Sequence, residues 1–220
     1  MKRLALIITL SIPFSAQAAC DWQGIGRQLR DTVATDQGKR TEMMRYEEAA
    51  RAKGAKPDPA KLEAMWKEQE ASDQANQRML DEVTARCGWP RTPDVDKPAV
   101  HAAFMILQHA STDPKDIEYR RRYWPMLQES QRRGDLDASV LALFEDRMLL
   151  QEGKPQKYGT QVDAHEGVTV SQPLQDPARL DERRKAVGLP PICQYLQLFT
   201  ALGGAIRYPA CSQAGASSRP

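Results

Sequence analysis

Asp36, Arg40, Asp73, Asn76, His109 and Arg147 sit where helical periodicity asks for apolar side chains. The stripe Trp22, Ile25, Leu29, Val33 runs into Asp36 and Arg40 before Met43 restores apolar character. A second stripe, Leu62, Met65 and Trp66, passes through Gln69, Asp73 and Asn76 before Leu80 and Val83. Gln108 and His109 close the most apolar segment of the chain, Val100 to Ala110. Arg147 continues Val140, Leu141 and Phe144, with Asp146 beside it. Ionised groups taken out of water need partners or a purpose. One arrangement is an internal network, Asp36 with Arg40 and Asp73 or Asp146 with Arg147, that sets helix register. The other is a polar pocket between helices, the usual way a bundle builds a ligand site.

Two chemistries fit the pocket. In the first, Asp36, Arg40, Asp73, Asn76, Gln108, His109, Asp146 and Arg147 line a binding site for a small or peptide-like ligand, which Tyr158, Thr160 and Gln161 close. In the second, His109 is the general base of a hydrolase. Asp36, Asp73 or Asp146 orients it, water is the nucleophile, and Arg147 or Tyr158 steadies developing negative charge. That reading requires His109 within hydrogen-bond reach of a carboxylate and open to a cavity. A third class, a structural or envelope-interaction protein, needs only the network.

Each residue also has a plainer use: His109 as a hydrogen-bonded core histidine, Asp113 as a helix cap, Tyr158 to Gln161 as an edge strand with a glycine bulge. His101 lies eight residues before His109, about 80° away around a helix, without the four-residue spacing of paired ligands. We expect no metal and no cofactor. There is no Gly-x-Ser-x-Gly, phosphate loop or dinucleotide fingerprint. The run Arg179, Asp181, Glu182, Arg183, Arg184, Lys185 reads as a solvated face.

The elements that must position these residues are mainly helical. Charged residues are 27% and aromatics 6% of the chain, and its long runs are built from strong helix formers. Helices are expected over 22–52 and 60–86, joined by the Gly/Pro turn 53–59, with Asp58 as N-cap and Pro59 at the first helical position. Further helices are expected over 100–110, from Asp113 to about Arg133, over 136–151, from Asp176 to Val187, and over 192–201. A short β-hairpin pairs 157–163 with 168–171 around His165, Glu166 and Gly167. The expected fold is a single-domain helical bundle with one short β-hairpin. It divides into a helix hairpin over 21–87 and a core over 98–205, inside a domain spanning 19–208 and followed by a mostly disordered tail over 209–220.

Residues 1–18 have the form of an export signal: Lys2 and Arg3, an apolar run from Leu4 to Phe14, then Ala16 and Ala18 at the positions read before a cut after Ala18. The expected compartment is the periplasm. Gln17 disfavours the alternative of a lipid anchor at Cys20, where an aliphatic residue is the rule. Cleavage removes the net charge of +2, so nothing favours nucleic acid as a partner, and no second segment is long and apolar enough for a membrane span. No protein partner is legible.

Four cysteines in an oxidising compartment make two disulfides, with three formal pairings. The first two helices would be about 46 and 40 Å long. An antiparallel hairpin of such similar lengths brings Cys20 to Cys87 and leaves Cys193 for Cys211.

Taken in order, these residues resemble a bacterial family of unknown function, family 6624. The motifs that carry the likeness are Asp36-Gln37 with Arg40, Asp73 with Asn76, Gly88-Trp89-Pro90, His101-Ala102-Ala103, and Gln108-His109-Ala110 with Asp113. They continue with Asp146-Arg147, Gln156, Tyr158-Gly159-Thr160-Gln161, Asp176, Asp181, Arg183-Arg184 and Gly188-Leu189-Pro190. The resemblance covers most of residues 30–195 and implies no particular activity. Its signature residues are the same polar groups that periodicity marks as misplaced, which by analogy favours the pocket over the network.

Overall fold

The computed structural model describes residues 20–212, apart from Thr112 and His165. The proposed signal over 1–18, the tail beyond 212 and His165 at the hairpin tip lie outside the described residues.

Two long helices, α1 (Trp22–Ala52) and α2 (Pro59–Cys87), form the N-terminal hairpin. Their starts are capped as the sequence asks. Asp21 accepts from the Gly24 N–H at 2.9 Å, and Asp58 from the Ala60 N–H at 2.9 Å, just ahead of Pro59. The disulfide Cys20–Cys87 closes the open end, with the Cα atoms 5.9 Å apart. Trp66 is half exposed, and Leu62 and Met65 are only partly buried, so the distal end of the α2 stripe is not core.

The next helix, α3 (Lys97–Gln108), is apolar nearly all round and packs against both α1 and α2. Leu29 from α1, Leu80 from α2, and Val100, Ala103 and Leu107 from α3 are fully buried together with Leu127 and Phe144. The last two come from a second hairpin, α4 (Ile117–Arg132) and α5 (Ala138–Gln151). Burying each such side chain stabilises by roughly 1.5–3 kcal/mol. Asp113 does not cap α4 directly: a tight turn over Pro114–Asp116 intervenes, and Asp116 takes the capping position. The fifth helix starts at Ala138 rather than Leu136, because the Asp135 and Leu136 N–H groups fold back on the Ser130 carbonyl.

The C-terminal part builds a second, smaller core from Val168, Val170, Leu180, Ile192, Leu196 and Tyr208. Its strands are short, β1 (Val162–Asp163) antiparallel to β2 (Thr169–Val170). Residues 157–161 are not strand, a correction to the edge-strand reading. The short helices α6 (Leu180–Ala186), α7 (Ile192–Gln197), α8 (Thr200–Gly203) and α9 (Pro209–Ser212) complete the fold. The disulfide Cys193–Cys211 ties α9 to α7, with the Cα atoms 5.4 Å apart, so residues 209–212 are ordered rather than tail. The molecule is a mainly α single domain. Among the described residues, no helix is long and apolar enough to cross a membrane.

Candidate functional site

Five polar side chains from α1, α2 and the end of α3 meet at one place. Asp36 is 3% exposed and sits at the centre. It accepts from His109 Nδ1 at 2.7 Å, from Gln69 Nε2 at 2.6 Å and from Arg40 Nε at 3.1 and 3.2 Å. Arg40 Nη2 donates to both oxygens of Asp73, at 2.7 and 2.8 Å. Gln69 also donates to Asp73 Oδ1 at 3.0 Å. Two i,i+4 pairs, Asp36 with Arg40 on α1 and Gln69 with Asp73 on α2, thus face each other across the hairpin. The Gln69 Oε1 atom is buried with no partner among the described residues.

The two carboxylates are driven apart in acidity. Burial alone would raise Asp36, but its bond to His109 and the charges of His109 and Arg40 outweigh burial and hold it below the usual carboxylate range. Asp73 is raised, chiefly by burial, which its bonds to Arg40 and Gln69 only partly offset. With Asp36 ionised, the His109 Nδ1–H donates to it, which leaves Nε2 as the ring nitrogen turned away from the carboxylate. The His109 side chain is 15% exposed, and its Nε2 bonds to no described residue.

Asp36, Asp73 and His109 also offer one ligand atom each, all within 4.8 Å of one another. The Arg40 guanidinium already bridges the two carboxylates, so a metal ion there would have to displace a bidentate cation.

Asp146 and Tyr158 do not join this cluster. The Asp146 carboxylate is fully buried and accepts from the N–H groups of Lys157 at 2.7 Å, Tyr158 at 3.0 Å and Thr160 at 2.9 Å. It takes the Thr160 hydroxyl at 2.9 Å as well. Gathering three amides round one carboxylate bends the chain, and Gly159 turns with φ +62°. That bend is why 157–161 cannot run as a strand. Tyr158 has Glu145, Lys157, Asp146 and Arg183 as charged neighbours, and burial, then Glu145, raises its phenol. Asn76 is half-buried on α2, one turn beyond Asp73. Gln108 is buried beside His109, and its Oε1 has no partner.

Arg147 follows Asp146 on α5. A cavity of about 220 Å³ is lined by Arg147, Pro114, Leu150, Gln151 and Gln161. The Arg147 Nε is buried without a partner, and no described residue accepts from or pairs with this guanidinium. Burial and then the charge of Arg40 lower its affinity for its proton. The Gln161 amide is spent on the Leu143 carbonyl at 3.2 Å and the Thr160 hydroxyl at 3.1 Å.

Sequence periodicity marks Gln69 but does not single it out for the site. Arg120, Gln151 and Arg184 carry no such signal. Arg120 is the one buried member of three consecutive arginines. It donates to the carbonyls of Leu107 at 2.7 Å, Ala110 at 2.5 Å and Ser111 at 3.3 Å, and to Gln151 Oε1 at 3.0 Å. A guanidinium thereby caps the C-terminal end of α3 and fixes the turn that carries His109. Arg184 is also fully buried and donates to the Tyr158 carbonyl at 2.6 Å and the Pro190 carbonyl at 2.7 Å. Asp181 accepts from the Ile192 N–H at 2.7 Å. Within the run 179–185, Arg179, Asp181, Glu182 and Lys185 are exposed as a solvated face would be, while the buried Arg184 acts as a structural clamp.

A family model described as a family of unknown function, DUF6624, matches residues 36–206. The chain belongs to this family. Comparison with curated proteins and with solved structures gave no match. The DUF6624 span opens on Asp36 and includes every residue of the cluster and of the cavity. Cys20 and Cys211 fall outside the DUF6624 match, so each disulfide ties a residue beyond it to one within it.

Proposed function

We infer that the chain is exported to the periplasm and there binds a small or peptide-like ligand at the Asp36 cluster and the adjoining cavity. The observation that carries this reading is convergence. Polar groups from α1, α2 and the end of α3 meet at one place, and α5 contributes a cavity lined by Arg147, Leu150 and Gln151. Export is supported by the signal-like residues 1–18 and by two disulfides, which persist in oxidising compartments. The test is a thermal-shift screen of the oxidised mature protein against small molecules and short peptides, repeated with Arg147→Ala. A compound that raises the melting temperature of the wild type but not of a folded Arg147→Ala variant supports the site. Hits that shift both proteins equally place binding elsewhere.

A second reading, hydrolysis, rests on the 2.7 Å bond between Asp36 and His109 Nδ1, which leaves Nε2 free to take a proton from water. Turnover of p-nitrophenyl ester or phosphate probes, abolished in His109→Gln, is its expected signature. Equal rates in both proteins would remove it.

A further inference from the structure

The ligand-site reading leaves its chemistry open, and the charges around the cavity narrow it. Arg147 is a partly buried cation whose Nε is out of water, and no carboxylate among the described residues bonds to it. Asp146, its sequence neighbour, is fully committed to the loop at Lys157, Tyr158 and Thr160. Asp36 and Asp73 are engaged by Arg40, Gln69 and His109. Arg120, close enough to Arg147 for its own proton affinity to be lowered by that charge, bonds only to carbonyl oxygens. Arg147 on the cavity wall and Arg120, which bonds to the lining residue Gln151, thus have no counter-ion among the described residues. An uncompensated buried charge costs several kcal/mol. An anion entering the cavity would repay that cost.

Size narrows the ligand further. At about 220 Å³ the cavity is smaller than the roughly 300–1,000 Å³ of pockets that enclose a drug-sized ligand. That is room for a head group, not for a whole peptide. The Gln151 amide is held by the Asp113 carbonyl at 2.5 Å and by Arg120, so the unspent donors on the cavity wall are those of Arg147.

We propose that the cavity is an oxyanion site in which the Arg147 guanidinium receives a carboxylate or phosphate group end-on, the rest of the ligand extending outside it. The proposal rests on the ligand-site reading and specifies its ligand. A planar guanidinium pairs with either group through two parallel N–H···O bonds, which an ammonium cannot reproduce.

Isothermal titration of the oxidised mature protein tests it with three probes: inorganic phosphate, a tri-alanine with a free carboxylate, and the same tri-alanine amidated. The wild type is expected to bind phosphate or the free acid, and the amide at least tenfold more weakly. Arg147→Met, checked for folding by circular dichroism, is expected to lose binding at least tenfold. Arg147→Lys, which keeps the charge but not the fork, is expected to fall in between. Phosphate alone binding identifies a phosphoryl head group, and the free acid alone a carboxylate. Equal binding of acid and amide overturns the oxyanion site while leaving a ligand pocket standing. Equal anion binding by wild type and Arg147→Met overturns it as well. If no probe binds and the thermal-shift screen finds no Arg147-dependent compound, both readings fall.

Discussion

At the scale of single residues, Asp36 and Asp73 share one arginine yet respond oppositely to acid. Asp36 is held below the ordinary aspartate value of 3.8, so the folded protein binds fewer protons there than the unfolded chain. Its contribution is complete above that value and is lost as pH falls through the folded pKa. Asp73 is raised, so its ionised form costs stability, and that cost is relieved as pH falls through its raised pKa. Urea unfolding across the acid range should therefore give opposite trends. The stability gap between wild type and Asp36→Ala narrows at low pH, whereas the gap between wild type and Asp73→Asn widens. Parallel curves would show that the pair does not divide its protons in this way. At neutral pH, Asp36→Ala strands Arg40, Gln69 and His109 and should cost about 3–5 kcal/mol.

Among elements, the decisive pieces are those that hold irregular backbone. Arg120 ends α3 and positions His109, Asp146 gathers the 157–160 loop, and Arg184 clamps that loop to the turn at Pro190. Asp146→Ala leaves three buried amides without an acceptor, each costing about 1–3 kcal/mol. Hydrogen exchange should then quicken at Lys157, Tyr158 and Thr160 while the α1–α2 hairpin keeps its protection. Quickening spread evenly over all helices would mean that Asp146 acts on global stability alone. Helix spans and caps were legible because 3.6-residue periodicity and Asp or Asp-Pro starts are local signals. The loop was not. A carboxylate that collects amides 11–14 residues away leaves no periodic trace, and its Tyr-Gly-Thr sequence reads equally well as strand.

For the whole molecule, two cores each carry one disulfide, Cys20–Cys87 against the larger and Cys193–Cys211 against the smaller. The closed loops span 67 and 18 residues, which corresponds to about 4 and about 3 kcal/mol of chain-entropy stabilisation. Replacing each pair with serines should lower the denaturant midpoint accordingly, the N-terminal pair more. The reverse order would show that the smaller core depends on its cross-link beyond loop entropy.

The sequence by itself determined the helical class, the hairpin of two long helices, the pairing of Cys20 with Cys87, and the misplaced polar groups at Asp36, Arg40, Asp73, His109 and Arg147. Each of these follows from spacing along a single element or from the matched lengths of two. Only the tertiary structure decided which of those groups share a site. Asp36, not Asp146, meets His109, Gln69 bridges two carboxylates, and Arg147 faces a cavity without a counter-ion. Periodicity reports which face of a helix is buried but not which residue of another helix lies opposite. Partnership across elements is set by packing offsets that a one-dimensional pattern does not contain.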